Sequence, residues 1–357
     1  MTWQIRQMWA TLLKAGLVEG RQPVDTGTLD SPWYVKALLA FSGWLAALFF
    51  LGFLGIAFSF ILRSTVVNFF IGTMMIGGAF FMFHFQKNEF LEHLSLAASL
   101  AGQVLVATAI FKLFDYSENG AWLTMSLLQA TLAVLMPSFV HRVFSSFFAM
   151  CAFSMALSSM GISFMVSGIA LLLASLCWLN EFSLPQQMEK IRAIGYGLVL
   201  ALIPLKGSAL FGSNSQPWRH SQAPSLLWIE PWMGEVLIAL VTLYVVRSLL
   251  QRYDQTIPEP LPVIALLGTF LLCIISMEMH GITVGVVIIL LGFSGSNRRL
   301  LGLGILSLLF YASYYYYLLD TTLLNKSLSL LIIGLVMFVF RWLMRYSLPV
   351  KKAAQHA

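Results

Sequence analysis

Charge is scarce in this chain: Asp, Glu, Lys and Arg make up 10% of its 357 residues, against about 25% in an ordinary soluble domain. A protein of this length with so little charge cannot clothe a water-facing surface. Cysteine is scarce too. Cys151, Cys177 and Cys273 are the only three; all fall in apolar stretches without CxxC spacing, so they read as buried thiols and not as a disulfide or metal framework. Catalytic signatures are missing as well, with no HExxH and no Walker loop. The nearest approach, Gly292-Phe293-Ser294-Gly295-Ser296, ends in serine where GxSxG needs glycine, and no strand precedes it. His84 and Glu89 stand five apart and read as a solvated turn. No catalytic residue, no cofactor and no metal is therefore expected, and the chain does not read as an enzyme.

Apolar residues are what the chain has, at 59%, and their runs read as membrane spans of roughly 20 residues each. The expected fold class is all-α, a polytopic membrane helix bundle. About 12 spans can be drawn: 35–62, 66–85, 94–114, 121–140, 143–160, 162–179, 191–211, 233–250, 261–277, 281–294, 300–318 and 321–344. Residues 1–32 precede them as an amphipathic helix and a linker, with Ile5, Met8, Trp9, Leu12 and Leu13 at helical spacing. Lys14 and Glu19 interrupt what would otherwise be the core of a cleavable signal. The bundle covers 33–346, and a basic tail follows over 347–357.

Basic residues give the direction of threading, because cytoplasmic loops hold most of them. With the N-terminus inside and strict alternation, sixteen of the 21 Lys and Arg residues fall on the inner side. Only Arg63, Lys112, Lys206, Arg219 and Lys326 fall outside. Both termini are thus expected in the cytoplasm. The net charge of +6 sits beside apolar segments instead of forming a solvated patch, so no nucleic-acid partner is indicated. The partner that composition does demand is the lipid bilayer.

The last hairpin carries the most distinctive stretch, Tyr311-Ala312-Ser313-Tyr314-Tyr315-Tyr316-Tyr317-Leu318-Leu319-Asp320. Consecutive phenols about 100° apart cannot share one buried face and suit the headgroup level. Together with Pro32-Trp33-Tyr34-Val35-Lys36-Ala37-Leu38-Leu39, Gly43-Trp44-Leu45-Ala46-Ala47, Leu51-Gly52-Phe53-Leu54-Gly55 and Thr321-Thr322-Leu323-Leu324-Asn325-Lys326, this block resembles a bacterial membrane family known as domain of unknown function 4401. The resemblance implies a bacterial inner membrane and a neighbour, a small membrane-anchored protein named for its GDYXXLXY motif. It brings no activity with it.

Ionisable residues at or within spans are the functional candidates, since an ion in lipid is costly unless compensated. Glu278 and His280 flank an outer turn, where a carboxylate beside an imidazole can relay protons; a hydrated hairpin tip is the plainer reading. Lys206 follows Pro204 in an apolar span, with snorkelling to the outer surface as the plain alternative. Glu235 lies one turn into its span, at the positive end of the helix, and Asp320 sits where it can cap the last one. Gln103 and Gln129 read as interhelical glue. The loop 212–232 holds Trp218, Arg219, Trp228 and Trp232, a candidate docking surface for a partner. Two functions follow from these residues: a scaffold or assembly subunit acting with a small membrane partner, or a secondary transporter, proton-coupled through the outer carboxylates.

Overall fold

The computed structural model describes residues 64–85, 89–114, 118–158, 162, 164–210, 232–253, 261–278, 281–318 and 323–347, with isolated helical positions between 11 and 53. Helices take up 93% of it, and no strand occurs among the described residues. The elements are α1 (Thr65–Phe85), α2 (Glu89–Leu113), α3 (Glu118–Leu135), α4 (Phe139–Ser158), α5 (Phe164–Leu179), α6 (Met188–Leu210), α7 (Trp232–Tyr253), α8 (Leu261–Glu278), α9 (Ile282–Ser294), α10 (Arg298–Leu318) and α11 (Leu323–Ser347). Four stretches, Thr65–Phe85, Leu91–Leu113, Phe139–Ser158 and Trp232–Arg252, are long and apolar enough to cross a membrane. The linker, the first expected span as a continuous helix, the loop 211–231 and the tail lie outside the described residues, as do His280, Asp320, Trp218, Arg219 and Trp228.

Local chemistry sets the helix ends. The hydropathy reading puts a turn at His141-Arg142, between spans 121–140 and 143–160. The chain instead breaks at Met136-Pro137-Ser138, because Pro137 has no N–H to donate and its ring crowds the preceding turn. His141 and Arg142 therefore lie inside α4, both buried. Between α9 and α10 the chain turns in three residues, Gly295 to Asn297. Gly295 N–H bonds back to Leu291 O, Ser296 takes a left-handed φ of 51°, and Asn297 Oδ1 accepts the N–H groups of Arg299 and Leu300 at 3.2 Å each. That is an asparagine N-cap, and it starts α10.

Contacts fix the helix directions. Gly72 of α1 faces Gly102 of α2 while Asn68 bonds Thr108, so α1 and α2 are antiparallel. Glu92 meets Ser138 and Gln103 meets His141, so α2 runs parallel to α4. Phe164 lies on Gly234, and at the far end Arg252 donates to Leu179 O, so α5 runs parallel to α7. Asn297 meets Tyr196 and Tyr311 meets Leu202, making α6 and α10 parallel. The first two helices are thus antiparallel, and helices two or four places apart run parallel, as in an alternating bundle.

The core sits where α4, α5, α6, α7, α9 and α10 meet, around Leu171, Val199, Leu202, Ile238, Ile288 and Leu300. Small residues let the backbones close in: a Cβ on Gly292 would come within 2.6 Å of Leu301 N, and one on Gly304 within 2.7 Å of Ile289 N. The outside is apolar in the extreme, with Phe70, Met74, Phe81 and Phe85 of α1 each more than 60% exposed. Water penalises such a face, whereas lipid accepts it.

Candidate functional site: a buried ion pair and the polar chains beside it

Two of the residues singled out in the sequence meet. Lys206, near the end of α6, donates through Nζ to Glu235 Oε1 in the first turn of α7, and the two side chains are only 5% and 11% exposed. Lys206 does not snorkel outward. Pro204 lies two residues before it inside α6 and leaves the carbonyl one turn earlier without its helical donor. Glu235 also sits in the first turn of α7, where the helix's positive end favours a carboxylate. Two opposite charges, both almost shut off from solvent, hold α6 to α7.

A second contact ties α10 to the same end of α6. Tyr311, fully buried, donates its hydroxyl to Leu202 O at 3.0 Å, one turn before Lys206. Gly281 lies against the ring with φ at +98°, and a Cβ there would be 2.8 Å from the tyrosine. Only glycine fits that turn, on both counts. Gly281, and with it the start of α9, thus lies at the end of the bundle that holds the ion pair. The Glu278 side chain is outside the described residues. Trp232 opens α7 and is half exposed. Tyr311→Phe is expected to cost about 1 kcal/mol, the value of one buried hydrogen bond, in reversible unfolding of the purified protein in mixed micelles; an unchanged stability would mean that Leu202 O finds another donor.

Three features escape a reading of the sequence alone. The first is a polar cluster around His141. Ser99 Oγ and Gln103 Nε2 approach its Nε2 at 2.8 and 3.0 Å, Ser145 Oγ approaches its Nδ1 at 3.1 Å, and Gln129 Nε2 donates to Gln103 Oε1 at 2.8 Å. The bond expected between the two glutamines is present, but as one link in a longer chain. The second is Glu181, 1% exposed in a stretch that reads as a polar loop, where it takes Arg192 as its ion-pair partner. Beside it Arg252 donates to the last carbonyl of α5, at Leu179, and Tyr196 donates to Asn297 Oδ1 at 2.9 Å. These bonds clamp one end of the core helices together. The third is a groove of about 550 Å³ outside the core, lined by Asn68, Val104, Leu105, Ala107, Thr108, Phe111 and Lys112. Among the described residues no three His, Cys, Asp or Glu side chains converge where a metal ion could sit.

These features lie within a single sequence family. A family model described as Domain of unknown function (DUF4401) matches residues 32–347. The chain belongs to that family. No curated protein and no solved structure matches it. The DUF4401 match takes in every helix from α1 to α11, so the ion pair, the histidine cluster and the groove are all parts of the family's own domain.

Proposed function

We propose that this protein is a multi-pass protein of a bacterial inner membrane, threaded about 12 times with both termini in the cytoplasm, and that it serves as a scaffold or assembly subunit for a small membrane-anchored partner of the GDYXXLXY type. Alternating helix directions and the one-sided basic residues support the threading. The role rests on one contrast. A carrier needs a polar cavity near the middle of its bundle; among the described residues the meeting point of α4 to α7, α9 and α10 is packed mainly with apolar side chains, and a cavity lies on the outer face between α1 and α2. That groove is lined mostly by apolar side chains, as a hydrophobic partner helix requires.

A carrier of a small solute or ion is the second reading, and one observation favours it: the Lys206–Glu235 pair lies beside the proline in α6, and interrupted helices with compensated charges mark ion pathways in membranes. Co-expression with the GDYXXLXY-type protein separates the two. Ala107→Trp, which fills the groove, is expected to cut recovery of the partner at least about tenfold while the purified subunit keeps its helical content. Full recovery with Ala107→Trp would remove the groove from the interface. Solute flux in vesicles made from the subunit alone would replace the scaffold by the carrier.

A further inference from the structure

His141 is wholly buried, and each side chain that hydrogen-bonds its ring can either give or take a proton. At His141 the Nε2 atom faces Ser99 Oγ at 2.8 Å and the Gln103 amide at 3.0 Å, and Nδ1 faces Ser145 Oγ at 3.1 Å. Hydroxyls donate or accept by rotating, and an amide exchanges its N and O by turning over.

Two arrangements of these hydrogen bonds are compatible with the positions of the atoms. In the first, the Gln103 N–H and the Ser99 O–H share the single lone pair of a bare Nε2, the Nδ1–H donates to Ser145, and Gln129 Nε2 donates to Gln103 Oε1 at 2.8 Å. Gln129 Oε1 is then left without a hydrogen-bond partner. In the second, Nε2 carries a proton and donates it to Ser99 Oγ or, once the amide has turned, to Gln103 Oε1. The Gln103 N–H then donates to Gln129 Oε1. No helix has to move, because only a hydroxyl and two amide groups turn.

We infer that His141 is a proton-binding site in the half of the bundle built from α1 to α4, loaded at Nε2 and stabilised by reversal of the Ser99, Gln103 and Gln129 hydrogen bonds. The proton comes from the end of α2 where Glu92 is exposed and accepts from Ser138 Oγ at 3.3 Å, one turn before His141 on α4. It leaves water there and adds to the Nε2 lone pair, turning a neutral imidazole into a cation. The groups facing this region are few. Glu92 and His93 lie on α2, His84 ends α1, and Arg142 follows on α4 with Glu189 of α6 facing it; α3 contributes only the neutral Gln129. Phe83 of α1 closes the pocket edge-on, with its ring centre 6.0 Å from the imidazole.

The test uses the full chain with ¹⁵N-labelled histidine in lipid nanodiscs, titrated from about pH 9 down to the lowest pH at which the protein stays folded. The His141 signals are identified by their loss in His141→Gln, and where that variant fails to fold, by their displacement in the two Gln103 variants. In the wild type they are expected to pass from a neutral Nδ1–H imidazole to an imidazolium. Gln103→Glu supplies a fixed acceptor and is expected to tighten proton binding about tenfold or more; Gln103→Met removes the reversible amide and is expected to weaken it about tenfold. A His141 that stays neutral wherever the protein remains folded would overturn the inference. So would a midpoint that both Gln103 variants leave in place. Neither result bears on the groove between α1 and α2, so this site and the scaffold role stand or fall separately.

Discussion

Lys206→Met is expected to destabilise the protein by about 3–5 kcal/mol, and Glu235→Leu by a similar amount, while the double variant recovers most of the loss. Removing one member of a buried pair strands the other charge in an apolar setting, whereas replacing both by apolar residues of similar size removes the desolvation penalty along with the attraction. The geometry makes this the applicable case, since the two side chains are 5% and 11% exposed. An exposed pair would be worth at most about 1 kcal/mol. Lys206→Arg keeps the charge but exchanges a compact ammonium for a planar guanidinium, so it should fall between the wild type and Lys206→Met. Reversible unfolding in mixed micelles would give the four values. Non-additivity is the quantity that matters: if the two single losses simply summed in the double variant, Lys206 and Glu235 would not be acting on each other.

Helix existence and order were legible in the apolar runs, because each run is bounded by glycine, proline or charge. The expected span 66–85 appears as Thr65–Phe85, 261–277 as Leu261–Glu278 and 281–294 as Ile282–Ser294. Hydropathy failed where a polar pair imitates a turn. His141-Arg142 looked like the break between two spans, yet both residues are buried in α4, and the signal that would have placed them correctly is the Pro137 that ends the preceding helix. That one shift moves the histidine from a loop into the bundle.

Pairing across the chain could not be read at all. Lys206 and Glu235 are 29 positions apart, and the one-dimensional pattern says only that each needs compensation. Glu181 shows the same limit from the other side. A carboxylate in a run such as Asn180-Glu181-Phe182-Ser183 reads as solvated, and only the fold brings Arg192 onto it and closes water out. Tyr311 is held inside the bundle for an equally non-local reason, because α6 presents a carbonyl to its hydroxyl.

Gly197→Leu is expected to prevent α4 and α6 from packing, and Gly197→Ala to cost about 1–3 kcal/mol, the range for forcing atoms into a filled core. A Cβ at position 197 would lie 2.4 Å from Val143 O and 1.8 Å from Ser146 Oγ. The serine can rotate aside, though at the cost of its bonds to Arg142 O and Val143 O at 2.8 and 3.1 Å. The Val143 carbonyl belongs to the backbone of α4 and cannot turn away, so the helices must separate. Separation would be felt on both sides of the contact, because α4 carries His141 one turn earlier and α6 carries Tyr196, which bonds Asn297 at the start of α10. The expected signature is therefore coupled: lower stability for Gly197→Ala, with a displaced His141 resonance in the same sample. Gly77 has nothing within 4 Å of its Cβ position, so Gly77→Ala serves as the control that should cost nothing and, at a helical site, gain a few tenths of a kcal/mol or more. Equal effects at the two glycines would mean that helix propensity, and not the approach of α4 to α6, governs what an added methyl group does in this bundle.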